Sequence, residues 1–229
     1  MKKRNIVMTV MSLAMVGVIA AGATLAYLTA KTPTKTNVFT AGTALTGALK
    51  EDAYDGADYD QAVNPVQLAA DALLPSPTLG INQAKNITPG RVINKDPQVK
   101  NTSAAATGST AWVAIKLEAT YPNAATSSAA LNAIEQIATI DWNTTKWEKV
   151  VDANGNVYFF YQDVVDPQAE TQTLFNTVTI KNTADVSDLK DFNISVTAAL
   201  VQRNGNDGLT NLNAATKTAL MNLLTPPTP

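Results

Sequence analysis

The sequence predicts a mainly β protein, an antiparallel β-sandwich carrying a few short helices. Three observations lead there. Ala111, Val113, Ile115 and Leu117 alternate with Trp112, Ala114, Lys116 and Glu118, and a period of two marks a strand with one face turned inward. Apolar runs at 146–151 and 157–161 flank Asp152-Ala153-Asn154-Gly155-Asn156, and Asn-Gly between such runs is the strongest short-range hairpin signal. Near the C-terminus Phe192, Ile194, Val196, Ala198 and Leu200 alternate again.

The remaining elements follow in chain order. Lys2, Lys3 and Arg4 precede an apolar run from Ile6 to Ala21, and small residues close it (Ala21, Gly22, Ala23, Thr24, Ala26). That order of charge, apolar stretch and small side chains is a secretory signal peptide over 1–26. The run is long enough to be an anchor, since a span needs ~20 apolar residues. Gly and Ala crowd its end, however, and the first following charge is Lys31, which favours cleavage. Ala21-Gly22-Ala23 and Thr24-Leu25-Ala26 both fit the small-x-small rule. Residues 27–36 then read as an extended arm that does not pack alone.

Residues 37–49 alternate, with Phe39, Ala41, Leu45 and Leu49 on one face, and predict a strand. The stretch from Asp52 to Asp60 is acidic and turn-like. Asn64-Pro65 caps a short helix that would carry Val66, Leu68, Ala69, Leu73 and Leu74 and stop before Pro75. From Ile81 the β pattern resumes. Ile87-Thr88-Pro89-Gly90 is a turn, and 91–95 with 98–101 reads as one strand interrupted at Asp96-Pro97. After a loop at 102–109 and the strand from 111 comes a helix over 128–138, capped by Ser127 or Ser128, with Leu131, Ile134, Ile137 and Ala138 on one stripe. Strands are expected at 173–181 and 191–202, a helix at about 210–224, and a proline tail at 225–229. Seven or more short strands separated by turns read as one sandwich domain over 37–224.

Composition narrows the function. Loss of the leader leaves about 203 residues with 14 Lys and Arg against 19 Asp and Glu, a formal charge of −5. A mildly acidic chain without basic clusters is a poor nucleic-acid binder. There is no cysteine and no histidine. The usual general base, the commonest metal ligand and every Ser-His or Cys-His pair are therefore missing, so no catalytic residue, metal or cofactor is expected. The Asp52–Asp60 stretch could offer oxygens to calcium, but its spacing is not that of an EF-hand and a solvated loop is the simpler reading. Asp185, Asp188 and Asp191 read as turn residues. Trp112, Trp142, Trp147 and Tyr158–Tyr161 could form a carbohydrate platform, although strand packing accounts for them equally well. Glu118 and Glu135 could pair as glycosidase carboxylates, but nothing in the sequence brings them together.

Several segments together resemble the TasA/camelysin family of exported Gram-positive proteins. They are the leader with Ala26-Tyr27-Leu28-Thr29 and 37–42; Pro89-Gly90 with 95–102 and 111–117; and 174–180 with 192–202. The resemblance implies cleavage by a dedicated signal peptidase between Ala26 and Tyr27. It implies a jelly-roll subunit of an extracellular biofilm fibre, secreted and touching membrane only through the uncleaved leader. Such a subunit polymerises with itself, head-to-tail, when the N-terminal strand (Tyr27, Leu28, Thr29, Ala30, Lys31, Thr32) completes the sheet of the next. Regions 50–80 and the C-terminal helix depart from the family pattern. Camelysin-type relatives have been described as metalloproteases; a chain without histidine cannot build the usual zinc site. The alternative function is a monomeric surface module binding carbohydrate or wall polymer through the aromatic hairpin.

Overall fold

The computed structural model describes residues 45–59, 65–85, 87–106, 108–185, 189–203 and 211–225, and the backbone of 38–39. Within these the fold is mainly β, with ten strands and five short helices. The order is β1 (Val38–Phe39), β2 (Gly47–Lys50), α1 (Asp52–Asp55), α2 (Pro65–Ala72), α3 (Gly80–Gln83), β3 (Val92–Asn94), β4 (Gln98–Asn101) and β5 (Ala111–Thr120). It continues with α4 (Ser127–Ile137), β6 (Ala138–Ile140), β7 (Trp147–Val151), β8 (Val157–Tyr161), β9 (Thr177–Ile180), β10 (Asn193–Gln202) and α5 (Ala214–Leu224). A five-stranded sheet runs β1-β10-β5-β8-β7, a second pairs β2 with β4, and a third runs β3-β9-β6. Every pairing is antiparallel except that of β1 with β10.

The alternation in β5 and β10 is the reason the large sheet has a definite inside. Val113, Ile115, Leu117, Ile194, Val196 and Leu200 all point into one core, at most 1% exposed. Leu49 and Val99 from the two-stranded sheet and Ile93, Val178 and Ile180 from the three-stranded sheet fill the same core, and Leu131, Ile134 and Ile137 of α4 join them. The opposite face of the large sheet is also buried. There Trp112, Ala114, Tyr158, Phe160, Ala199 and Val201 lie under Leu220 and Leu224 of α5, so β5 is apolar on both faces over its first half.

Local rules explain most boundaries. Thr126, one residue ahead of the expected caps, starts α4 by accepting the Ala129 N–H at 3.2 Å. Ser127 instead ties the helix to β5, accepting from Ala119 N and donating to Leu117 O. Helix α4 itself ends at Ile137; Ala138 caps it, donating its N–H to Ile134 O, and is also the first residue of β6. The β7–β8 hairpin forms as the Asn-Gly signal predicts. Its five-residue loop closes on Asp152, whose Oδ1 accepts the N–H groups of Asn154 and Asn156 at 2.9 Å each. Gly155 takes φ 77°, and a Cβ there would meet the Thr126 side chain at 2.6 Å.

Other expectations need correction. Residues 37–49 are not one strand: β1 belongs to the large sheet and β2 to another. The stretch at Ile81 is a helical turn, α3, not β. Residues 91–95 and 98–101 are two strands in different sheets, because the chain turns at Asp96-Pro97 to serve β9 on one side and β2 on the other. Helix α2 forms where Pro65 places it and stops before Pro75, at Ala72; Val66, Ala69 and Ala70 are exposed, Leu68 is half-buried, and its buried residue is Asp71.

Polar contacts hold this 50–96 region. Lys95 Nζ meets Glu51 Oε1 at 2.6 Å, both side chains at most 5% exposed, and lies 4.4 Å above the Tyr54 ring. Asp71 accepts from Thr78 N at 2.7 Å, Thr78 Oγ1 at 2.6 Å, Leu79 N at 3.2 Å and Asn82 Nδ2 at 2.8 Å. Burial by itself would raise the Asp71 carboxyl, but these donors outweigh it and hold it at about 2. Asp96 accepts the Ala53 N–H at 2.9 Å and shares a hydrogen bond with Asp52. Burial first, then the Asp52 contact, pushes Asp96 up to about 8, while the hydrogen bond from Asp96 holds Asp52 below the usual carboxylate range.

Two predictions follow from the packing and the paired carboxyls. Ile115→Ala or Ile194→Ala should lower unfolding free energy by roughly 2–5 kcal/mol in a denaturant titration. Unfolded Asp96 loses its proton near its ordinary value of 3.8, whereas the folded group keeps it to about 8. The folded state thus binds more protons in that window, and Asp96 makes stability fall as pH rises through it. Asp96→Asn, which can keep both hydrogen bonds, should flatten the decline in denaturation midpoint between about pH 5 and 8.

Candidate functional site

The two edges of the large sheet differ, and the difference is written in β10. Its register with β5 is continuous over ten pairs, from Asn193↔Thr120 to Gln202↔Ala111. Beyond the last pair, Arg203 N donates to Thr110 O at 2.8 Å. In an antiparallel ladder the hydrogen-bonded positions recur every second residue. Residues 193, 195, 197, 199 and 201 therefore direct their N–H and C=O groups at β5. The other side of β5 agrees: Ala111 exchanges both backbone bonds with Val165, at 2.9 Å each, away from β10.

Ile194, Val196, Ala198 and Leu200 consequently present their backbone groups to the outer edge while their side chains fill the core. Along that edge β1 runs parallel, with Val38 opposite Ala199 and Phe39 opposite Leu200. These described pairs lie toward the C-terminal end of β10. Among the described residues, no strand lies beside Ile194 and Val196. No charged residue occurs from Asn193 to Gln202, so the strand itself carries no charge that would blunt its edge. The opposite edge, β7, is blunted: Glu148 and Lys149 are exposed along it, and Lys217 Nζ of α5 reaches Glu148 Oε1 at 2.5 Å.

An edge of this kind binds chemically as an unfinished ladder. It offers paired donors and acceptors at strand spacing to any extended segment, and the buried side chains behind it hold those groups in place. The cleavage pair Ala26 and Tyr27 and the assembly residues Tyr27, Leu28, Thr29, Ala30, Lys31 and Thr32 lie outside the described residues. Parity of the β10 amides, which the sequence alone does not reveal, follows only from the observed register.

The other candidate residues are placed as follows. Tyr158, Phe159, Phe160 and Tyr161 are all buried between layers, so the hairpin aromatics pack rather than form a platform. A cleft of about 300 Å³ opens beside Trp142, Thr144, Lys149, Phe159, Gln162 and Leu174. Trp142 is already engaged there: it stacks on Phe159 with ring centroids 4.8 Å apart, and its Nε1 donates to Glu135 Oε1 at 2.9 Å. Glu118 pairs with Lys116 at 2.8 Å, so Glu118 and Glu135 have different partners. Asp52 to Asp55 form α1 and Asp55 is buried, so this stretch is not simply a solvated loop. Among the described residues no group of three or more acidic side chains is placed to hold a metal ion, and no helix is long and apolar enough to cross a membrane.

Comparison with known proteins adds no relative: no protein-family model, curated protein or solved structure matches this chain.

Amide hydrogen exchange on the isolated subunit tests the edge geometry. The amides of Ile194 and Val196 should exchange much faster than those of Ser195 and Thr197, despite the deeper burial of their side chains. Equal protection along 194–197 would mean that the outer side of β10 is covered.

Proposed function

We propose that this chain is a structural subunit of an extracellular filament, exported on its leader, cut between Ala26 and Tyr27, and polymerised head-to-tail. The arm 27–36 of one subunit adds as a strand beside Ile194 and Val196 of the next. The observation that carries this reading is the uncharged outer edge of β10, left without a strand among the described residues. Its position supports it further, since β1 enters the same sheet directly after the arm.

The physical case rests on unsatisfied backbone groups. A threonine-rich arm with β-prone residues gains a ladder of hydrogen bonds by lying along the edge, and so does the edge. Alternate arm residues such as Leu28 and Ala30 would turn toward the neighbour's core. The contact joins two different surfaces, so it propagates instead of closing a dimer. Tyr27 becomes a free N-terminus only after cleavage, which restricts assembly to the outside of the cell. The finer topology we favour is the jelly roll. Connections β4–β5, β5–β6, β6–β7, β8–β9 and β9–β10 each pass from one sheet to another, as interleaved antiparallel layers require. The partner is the chain itself, with signal peptidase acting during export; no cofactor or nucleic acid takes part.

Removing residues 27–36 from the mature protein should leave a folded, soluble monomer by circular dichroism that forms no filaments under negative stain. In filaments of the intact mature protein, the Ile194 and Val196 amides should gain protection while those of Ser195 and Thr197 change little. Normal filaments from the truncated chain would refute strand donation. A monomeric intact protein would favour the surface-module alternative.

A further inference from the structure

The turn that the sequence marks at Ile87-Thr88-Pro89-Gly90 also sets a cation in place. Pro89 and Gly90 take its two central positions, with Gly90 at φ 79° and Arg91 N donating to Thr88 O at 3.0 Å, the pattern of a type II turn. The Arg91 carbonyl accepts the Ile180 N–H at 2.8 Å. The backbone of Arg91 is thus fixed on both sides, while its half-buried side chain has no hydrogen-bond or ion-pair partner among the described residues. A second cation is placed by the Asp71 network. Asn82 Nδ2 donates to Asp71 Oδ2 at 2.8 Å and to Leu68 O at 3.0 Å, which leaves Asn82 Oδ1 to accept from Lys85 Nζ at 2.7 Å.

Lys85 and Arg91 share a cleft of about 200 Å³ with Ala72, Pro77 and Asn82. Pro77 and Arg91 also line a second, more open cleft of about 420 Å³, whose walls include Ser76, Gln83 and Thr88. The two clefts therefore meet at Arg91. No Asp or Glu lines either of them. Asp71 lies behind Asn82, but it is buried and its charge is taken up by the donors of Thr78, Leu79 and Asn82. In a chain of formal charge −2, this groove is a local site of the opposite sign.

We propose that the groove binds the phosphate groups of a soluble polyol-phosphate chain, with Arg91 and Lys85 on one phosphate and the Ser76 and Thr88 hydroxyls toward the adjoining polyol. Charge complementarity selects the anion. The guanidinium offers a planar fork of donors that matches phosphate oxygens, and the ammonium adds a point charge. The second cleft carries no charge beyond Arg91, and the side chains of Ser76 and Thr88 are unengaged among the described residues, which suits the neutral, hydroxylated spacer between phosphates. Neither cleft has an aromatic ring on which a base could stack, which argues against nucleic acid. Recognition of an anionic bilayer uses clusters of about four to eight cations, and this groove has two. A single site of this size is weak; repeated along a filament it would hold one polymer at many points. That consequence rests on the filament reading above, whereas the site does not.

Calorimetric titration of the mature protein with a glycerol-phosphate oligomer tests the site. Binding should weaken with added salt and be competed by inorganic phosphate. It should fall about tenfold or more in Arg91→Gln and in Lys85→Gln, the loss of one charge-assisted hydrogen bond. Lys149→Gln, the same charge change on β7, should bind as the unaltered protein does, and circular dichroism checks that each variant is folded. No measurable binding of the oligomer, binding that neither groove variant weakens, or an equal loss in all three variants would overturn the proposal. Binding to phosphatidylglycerol vesicles without binding to the oligomer would assign the two cations to a lipid headgroup and overturn it as well. None of these measurements depends on polymerisation, so their failure leaves strand donation standing, and the absence of filaments leaves the site standing.

Discussion

The pairing of β5 with β10 is the constraint on which the rest of this molecule depends. Ten consecutive pairs fix the register, and a slip of one residue would send Ile194, Val196 and Leu200 to the face under α5 and bring Ser195 and Thr197 into the core. Strand β8 builds outward from β5, α5 covers one face, and the smaller sheets and α4 close the other. Among the described residues, the outer side of β10 beside Ile194 and Val196 is a boundary that side-chain packing does not finish, because its open groups belong to the backbone.

The 50–96 region is secured on a different principle. It contributes some apolar side chains to the core, such as Tyr54 and Ile93, but its specific ties are the Lys95–Glu51 pair, the Asp52–Asp96 carboxyls and the four bonds to Asp71. Such contacts demand exact partners, since an ion left alone in the interior is expensive. They fix geometry without needing a large apolar face. That is why α2 can be held firmly by its polar side and leave its apolar side outward.

What the sequence disclosed depended on whether local pattern and tertiary role coincided. In β5, β10 and the β7–β8 hairpin they did: alternation and the Asn-Gly turn specify a strand and a reversal whatever lies nearby. The stripe of α2 was legible as a helix, but the side that would be buried was not, because a helical period does not say whether the domain or another body covers it. Ile81 was misread because four residues carry too little pattern to separate a helical turn from a strand. The split of 91–101 between two sheets turns on Asp96-Pro97, where sequence shows an interruption but not that the partners change. The candidate edge was hidden for a related reason. Whether an amide faces β5 or open space is set by register, and residues 193–202 carry no letter that encodes it.

The place of β1 has a kinetic meaning. Val38 pairs with Ala199 and Phe39 with Leu200, so the first described strand of the chain meets the last. The β5–β10 ladder must stand before β1 has a side to join, and closing so long a loop is entropically costly. The contact that comes earliest in the sequence is therefore among the latest to form in folding.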